Sequence, residues 1–174
     1  MKRQIRRSVF ETNSSAVHSL IVTKNNDYFS ENEVRDNFKF LWGKPVKWSY
    51  EDMTFPIEFQ VLTSLYDKAR YVLALMCRQI GDNVYEEVNT VIRSYVPDFS
   101  GFEFETLDLP NGLVEENLID FLQKEDITIT EFLTNKRYVV IVDGDHDDCD
   151  YNRLKKSGLF NKEMVEREYI GEDF

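Results

Sequence analysis

Short stretches of alternating apolar and polar residues, the pattern of a half-buried β-strand, recur along the chain. They predict two N-terminal strands joined by a polar turn at 11–15, and a hairpin around Gly43 and Pro45. The N-terminal strands are expected at 3–10 and 18–22, and the hairpin arms at 38–42 and 46–50. The nearly all-apolar stretch 137–142 predicts the strongest strand, central in a sheet. Residues 164–170 fit either a helix or an edge strand.

Apolar residues at three- and four-residue spacing predict helices in the middle of the chain. The clearest helix is expected to start near Pro56 and to reach Ile80, with Gly81 as its C-cap. A second helix is capped by Asp82 and must end before Pro97. Further helices are predicted at 113–124, at 130–134 with Thr130 as cap, and at 150–156, while 101–111 is expected to be loop or edge strand.

Strands near both ends, with helices between them, predict an α+β fold. We expect one compact domain over residues 1–174, with a small mixed or antiparallel sheet and about three main helices. The composition agrees, because 42% of residues are apolar and 14% are aromatic. A disordered acidic tail would be poor in aromatic residues.

The sequence predicts neither export nor a membrane span. The basic N-terminus lacks the apolar stretch of a signal peptide, and the longest apolar region, 71–77, is too short to cross a bilayer. Cys77 and Cys149 are too few for a disulfide framework. We therefore expect a cytoplasmic protein that does not engage a membrane.

The formal net charge is −11, and it is unevenly spread. Residues 1–24 have a net charge of +4, residues 97–131 hold ten acidic residues against one lysine, and residues 143–150 add five aspartates. Such a chain is a poor surface for coating nucleic acid, because neutralising phosphates needs clustered Lys and Arg. The acidic segments instead suggest a basic protein partner or a cation.

Residues 6–20 concentrate side chains suited to binding an anion or transferring a proton. Arginine, hydroxyl and amide groups bind phosphate oxygens, while imidazole and carboxylate groups act as acid or base. The anion-binding candidates are Arg6, Arg7, Asn13, Ser14 and Ser15, and the acid/base candidates are Glu11 and His18. The alternative is a strand–turn–strand whose Asn and Ser side chains hydrogen-bond to their own backbone.

The run Val9-Phe10-Glu11-Thr12-Asn13-Ser14-Ser15, followed by His18-Ser19-Leu20, carries a family resemblance. It resembles the N-terminal signature of small proteins encoded by bacteriophages and mobile elements of Firmicutes, which reads close to basic-x-basic-VFETNSSS-x-HSL. That family has no function to carry over. The resemblance implies a phage or prophage origin and action inside the host cell. Small acidic phage proteins are often inhibitors of host defence, including anti-CRISPR proteins.

A second candidate site follows the predicted strand at 137–142. Hard cations such as Mg²⁺ or Mn²⁺ prefer carboxylate oxygens, and the strand leads into closely spaced aspartates. The candidate ligands are Asp143, Asp145 and Asp147. The segment does not fit an EF-hand loop, which needs Gly and Glu where this chain has Asp148 and Leu154. The alternative is a solvated acidic loop that binds no ion.

The third candidate is the acidic surface between Asp98 and Glu131. A row of carboxylates can compete for a protein groove that normally holds phosphates. The partner-binding candidates are Glu103, Glu105, Glu115, Glu116 and Asp120. Glu116 and Asp120 are neighbours on a helix, and like charges at that spacing are mildly unfavourable, which favours an external role. The alternative is ordinary solubility.

Two functions are expected from these observations. The leading hypothesis is a phage-encoded inhibitor that binds a basic, nucleic-acid-handling host protein, such as a CRISPR nuclease complex, and occludes it. This hypothesis needs no catalytic residue and no cofactor. The alternative is a metal-dependent enzyme acting on a nucleotide or nucleic acid, with Mg²⁺ or Mn²⁺ at the aspartates and Glu11 and His18 as acid/base groups.

Overall fold

The computed structural model describes residues 17–38, 46–48, 60–76, 82–104, 115–143 and 164–170. Within these ranges the chain forms strands and helices in one α+β arrangement, which confirms the predicted fold class. The strands are β1 (Val17–Thr23), β2 (Val46–Trp48), β3 (Gln60–Leu62), β4 (Phe102–Phe104), β5 (Tyr138–Asp143) and β6 (Val165–Ile170). The helices are α1 (Glu31–Phe38), α2 (Leu65–Met76), α3 (Asp82–Tyr95), α4 (Glu115–Glu125) and α5 (Ile129–Thr134).

The strands β5 and β1 lie at the centre of a four-stranded sheet with the order β3-β5-β1-β6. All neighbouring strands in this sheet are antiparallel. The central position predicted for 137–142 is confirmed, and of the two interpretations of 164–170 the edge strand is correct. The strands β2 and β4 form a separate parallel pair, in which Val46 is opposite Phe102.

The two faces of the central strands join different apolar clusters. Leu20, Val22 and Val140 belong to the main core, which also contains the buried residues of the helices. Ile21 and Ile141 belong to a smaller, separate cluster. Successive residues of a strand point to opposite faces, so this division follows from the strand period of two. Burial on both faces also explains why these strands are almost continuously apolar, without polar alternation.

The spacing of apolar residues does not predict the helix α1. This helix ends at Phe38, so this residue does not begin a hairpin arm as expected, whereas the rest of that arm and its turn, residues 39–45, lie outside the described residues. The strand β2, within the second predicted arm, pairs with β4. A capping box starts the helix. Ser30 Oγ accepts a hydrogen bond from Glu33 N at 3.4 Å, and Glu33 Oε2 accepts one from Ser30 N at 2.8 Å. The box satisfies N–H groups that have no partner within the helix.

The helix α2 begins later than the expected start near Pro56. Leu62, which was expected in this helix, lies in β3 opposite Val140 of β5. Ser64 sets the boundary, because its Oγ accepts a hydrogen bond from Asp67 N at 3.1 Å and caps the first turn. The spacing of apolar residues continues without a break from β3, which ends at Leu62, into α2, and so the prediction of helix at Leu62 was wrong.

The other predicted elements in the described ranges are confirmed or slightly shifted. The helix α3 begins at Asp82 and ends before Pro97, and α4 and β4 lie where expected. Thr128, not Thr130, caps α5, because its Oγ1 accepts a hydrogen bond from Glu131 N at 3.1 Å. The predicted elements at 3–10, 11–15 and 150–156 lie outside the described residues, as does the predicted helix end at Ile80 with its C-cap Gly81. Among the described helices, none has both the length and the apolar content needed to span a bilayer.

Candidate functional site

Many of the predicted site residues lie outside the described residues, namely Arg6, Arg7, Glu11, Asn13, Ser14, Ser15, Glu105, Asp145 and Asp147. The other candidates fall on four elements. His18 lies on β1, Asp143 ends β5, Glu103 lies on β4, and the remaining acidic candidates lie on α4.

The sheet register brings His18 and Asp143 to the same end of the sheet. Val17 is opposite Asp143, and His18 is opposite Val142, across the β1–β5 pair. Directly opposite Cα atoms in antiparallel strands are about 4.5–5.5 Å apart, so the backbones at His18 and Asp143 are near neighbours. Within the described residues, no three His, Cys, Asp or Glu side chains are grouped to hold a metal ion. Because successive positions of a strand alternate between the faces of the sheet, the register puts His18 and Asp143 on opposite faces at the same end, and it supplies no ligand set.

Two of the partner-binding candidates, Glu115 and Glu116, are the first two residues of α4. The helix dipole stabilises negative charge at a helix N-terminus by about 0.3–1 kcal/mol per charge. Stabilisation of the helix is therefore one reason for acidic residues at these two positions, in addition to any role in binding a partner. Asp120 lies one turn further along α4 and is half-buried.

Glu125, at the end of α4, belongs to the acidic segment but serves the fold. Its side chain is only 5% exposed, and it accepts a hydrogen bond from Arg167 Nη2 at 2.6 Å and another from Tyr169 Oη. The hydrogen bond to Glu125 raises the pKa of Tyr169. A buried carboxylate needs such partners, because an unpaired buried charge is strongly unfavourable. Glu125 therefore ties α4 to the edge strand β6.

Glu131, on α5, is also engaged within the molecule. Its carboxylate accepts hydrogen bonds from Tyr28 Oη and from Asn135 Nδ2, each at 2.9 Å. The first of these hydrogen bonds raises the pKa of Tyr28. Asn135 Nδ2 also donates to Asn26 Oδ1 at 2.9 Å, so one network joins the segment after β1 to the end of α5. The carboxylates of both Glu131 and Glu125 are therefore engaged in contacts within the molecule.

Several basic residues of the described ranges are paired with glutamates. These ion pairs are Arg35–Glu31 at 2.7 Å, Lys136–Glu33 at 2.7 Å, Arg93–Glu86 at 4.0 Å and Arg137–Glu166. Asp98 and Asp126 are exposed, and Asp120 is half-buried. Within the described part of the chain, none of these three aspartates forms an ion pair. No ion pair within the described residues therefore offsets their negative charge.

Lys68 on α2 is the most unusual ionisable residue that the structure describes. It is fully buried, and its Nζ donates hydrogen bonds to Phe132 O at 2.8 Å and to Asn135 O at 2.7 Å. The Nζ also lies 5.1 Å from the ring centre of Phe29 and 5.5 Å from that of Phe132. The two carbonyls belong to the end of α5, where helical carbonyl groups have no partner within the helix.

Burial lowers the pKa of Lys68 to about 7, and the nearby carboxylate of Glu131 opposes this shift in part. A lysine with such a pKa can act as a nucleophile or a base where a substrate reaches it. Here the ammonium group is sealed in the core and already bonded, so its role is to cap α5. The sequence contains a signal for the burial of Lys68, because Leu65, Lys68 and Val72 share the apolar face of α2.

Comparisons of the chain with protein families, with curated proteins and with solved structures found no match.

Proposed function

We propose that the chain is a phage-encoded acidic protein that binds a basic, nucleic-acid-handling protein in the host cytoplasm. A CRISPR nuclease complex is the partner we infer. The observation that carries the proposal is the acidic segment 97–131, in which Asp98, Asp120 and Asp126 have no ion pair within the described residues. The N-terminal resemblance to proteins of phages and mobile elements supports the proposed origin.

The mechanism would be occupation of a groove that normally holds phosphates. Carboxylates of α4 would take the place of phosphates opposite Lys and Arg of the partner. Complementary charge mainly raises the association rate and the specificity, and salt screens it over about 8 Å at physiological ionic strength. Inhibition should therefore weaken as the salt concentration rises.

The test is cleavage of target DNA by a guide-loaded CRISPR nuclease from a Firmicutes host, with and without the purified chain. E115K and D82K form a matched pair of variants, because Glu115 and Asp82 are each the first residue of a helix. Each variant loses a similar interaction with its helix dipole, about 0.3–1 kcal/mol, but only Glu115 belongs to the acidic segment.

We expect wild type to inhibit cleavage, E115K to inhibit about tenfold more weakly, and D82K to match wild type. A tenfold loss corresponds to about 1.4 kcal/mol of binding free energy. The triple variant E115K/E116K/D120K should lose inhibition. Absence of inhibition by wild type, or equal inhibition by all variants, would contradict the proposal.

The second candidate function is a metal-dependent enzyme, and the observation that favours it is the position of Asp143 as the last residue of β5, where the aspartate-rich segment begins. Asp143, Asp145 and Asp147 would hold Mg²⁺ or Mn²⁺, and His18 with Glu11 would move protons. Titration calorimetry with each ion tests this function directly. It predicts binding that D143N abolishes and that D126N, at an exposed aspartate elsewhere, leaves unchanged. Absence of binding at millimolar ion would remove the enzyme from consideration.

A further inference from the structure

We draw no further inference here: the strongest candidate, the fully buried Asn89 on α3, whose side-chain nitrogen and oxygen both lack a hydrogen-bond partner, lies directly against the turn at Gly101, and nothing among the described residues shows a space beside it for a ligand.

Discussion

Replacing Lys68 by methionine tests the role of the buried ammonium group. The variant K68M keeps a long apolar side chain but removes the donor to the carbonyls of Phe132 and Asn135. A buried acceptor that loses its partner costs about 1–3 kcal/mol, and each lost cation–ring contact costs about 0.5–2 kcal/mol. Removing a buried charge offsets part of this loss. We expect the free energy of unfolding at pH 7 to fall by about 2–4 kcal/mol.

The pH dependence of the free energy of unfolding tests the role of Lys68 more sharply than the loss of stability in K68M at a single pH. The pKa of Lys68 is about 7 in the folded protein, against 10.5 for an unburied lysine. Between these values the unfolded chain binds more protons than the folded one, so the Lys68 contribution to the free energy of unfolding rises with pH. Below about pH 7 both states are protonated, and this contribution is constant. The full rise is at most roughly 5 kcal/mol.

The neutral amine can keep the same two hydrogen bonds, because it still has two N–H groups to donate. Loss of the proton therefore relieves the burial of charge without leaving Phe132 O or Asn135 O unsatisfied. Urea unfolding of wild type and K68M at pH 6.5, 8 and 9.5 measures the difference, with K24M as a control at an exposed lysine. We expect the stability difference between wild type and K68M to grow with pH, and wild type and K24M to keep parallel profiles. Parallel profiles for wild type and K68M would refute the reasoning.

Three further substitutions test individual contacts through urea unfolding. N89L replaces a fully buried amide, which forms no hydrogen bond within the described part of the chain, by an apolar side chain of similar size. It should raise the free energy of unfolding by about 1–3 kcal/mol, and a fall would show that the amide is bonded in solution. T128A removes the α5 cap and should cost about 1 kcal/mol. T130A should cost less, because Thr130 is exposed and its hydroxyl donates only to the side chain of Glu87; equal costs would contradict the assigned cap. E125Q removes the charge that meets Arg167 and Tyr169 and should cost about 1–3 kcal/mol, whereas an unchanged stability would mean that the carboxylate is solvated.

Elements were predicted well where the signal lies within the element itself. The helix α3 has regular apolar spacing and an adjacent proline at Pro97, and β5 is one continuous apolar run. The helix α1 has only Val34 and Phe38 as buried residues, so apolar spacing is too sparse to mark it. Its start is instead marked by the hydrogen bonds of Ser30, a local signal that apolar periodicity ignores.

Contacts between distant parts of the chain could not be predicted in the same way. Lys68 reaches carbonyl oxygens that lie 64 and 67 residues away, and Glu125 meets Arg167 over 42 residues. A periodic pattern places Lys68 on the apolar face of α2, but it does not identify what covers that face. For the same reason, the number of acidic residues in 97–131 does not show which of them form contacts within the fold, as Glu125 does, and which are exposed, as Asp126 is.

The central claim is that this acidic chain occupies a groove that nucleic acid would otherwise fill. Equilibrium binding of fluorescently labelled chain to the guide-loaded nuclease, measured at increasing concentrations of target DNA, tests that claim most directly. Competition is the predicted result: the apparent Kd of the chain rises linearly with DNA concentration, and the affinity falls as salt is added. Simultaneous binding of chain and DNA, each with its affinity unchanged, would contradict the account.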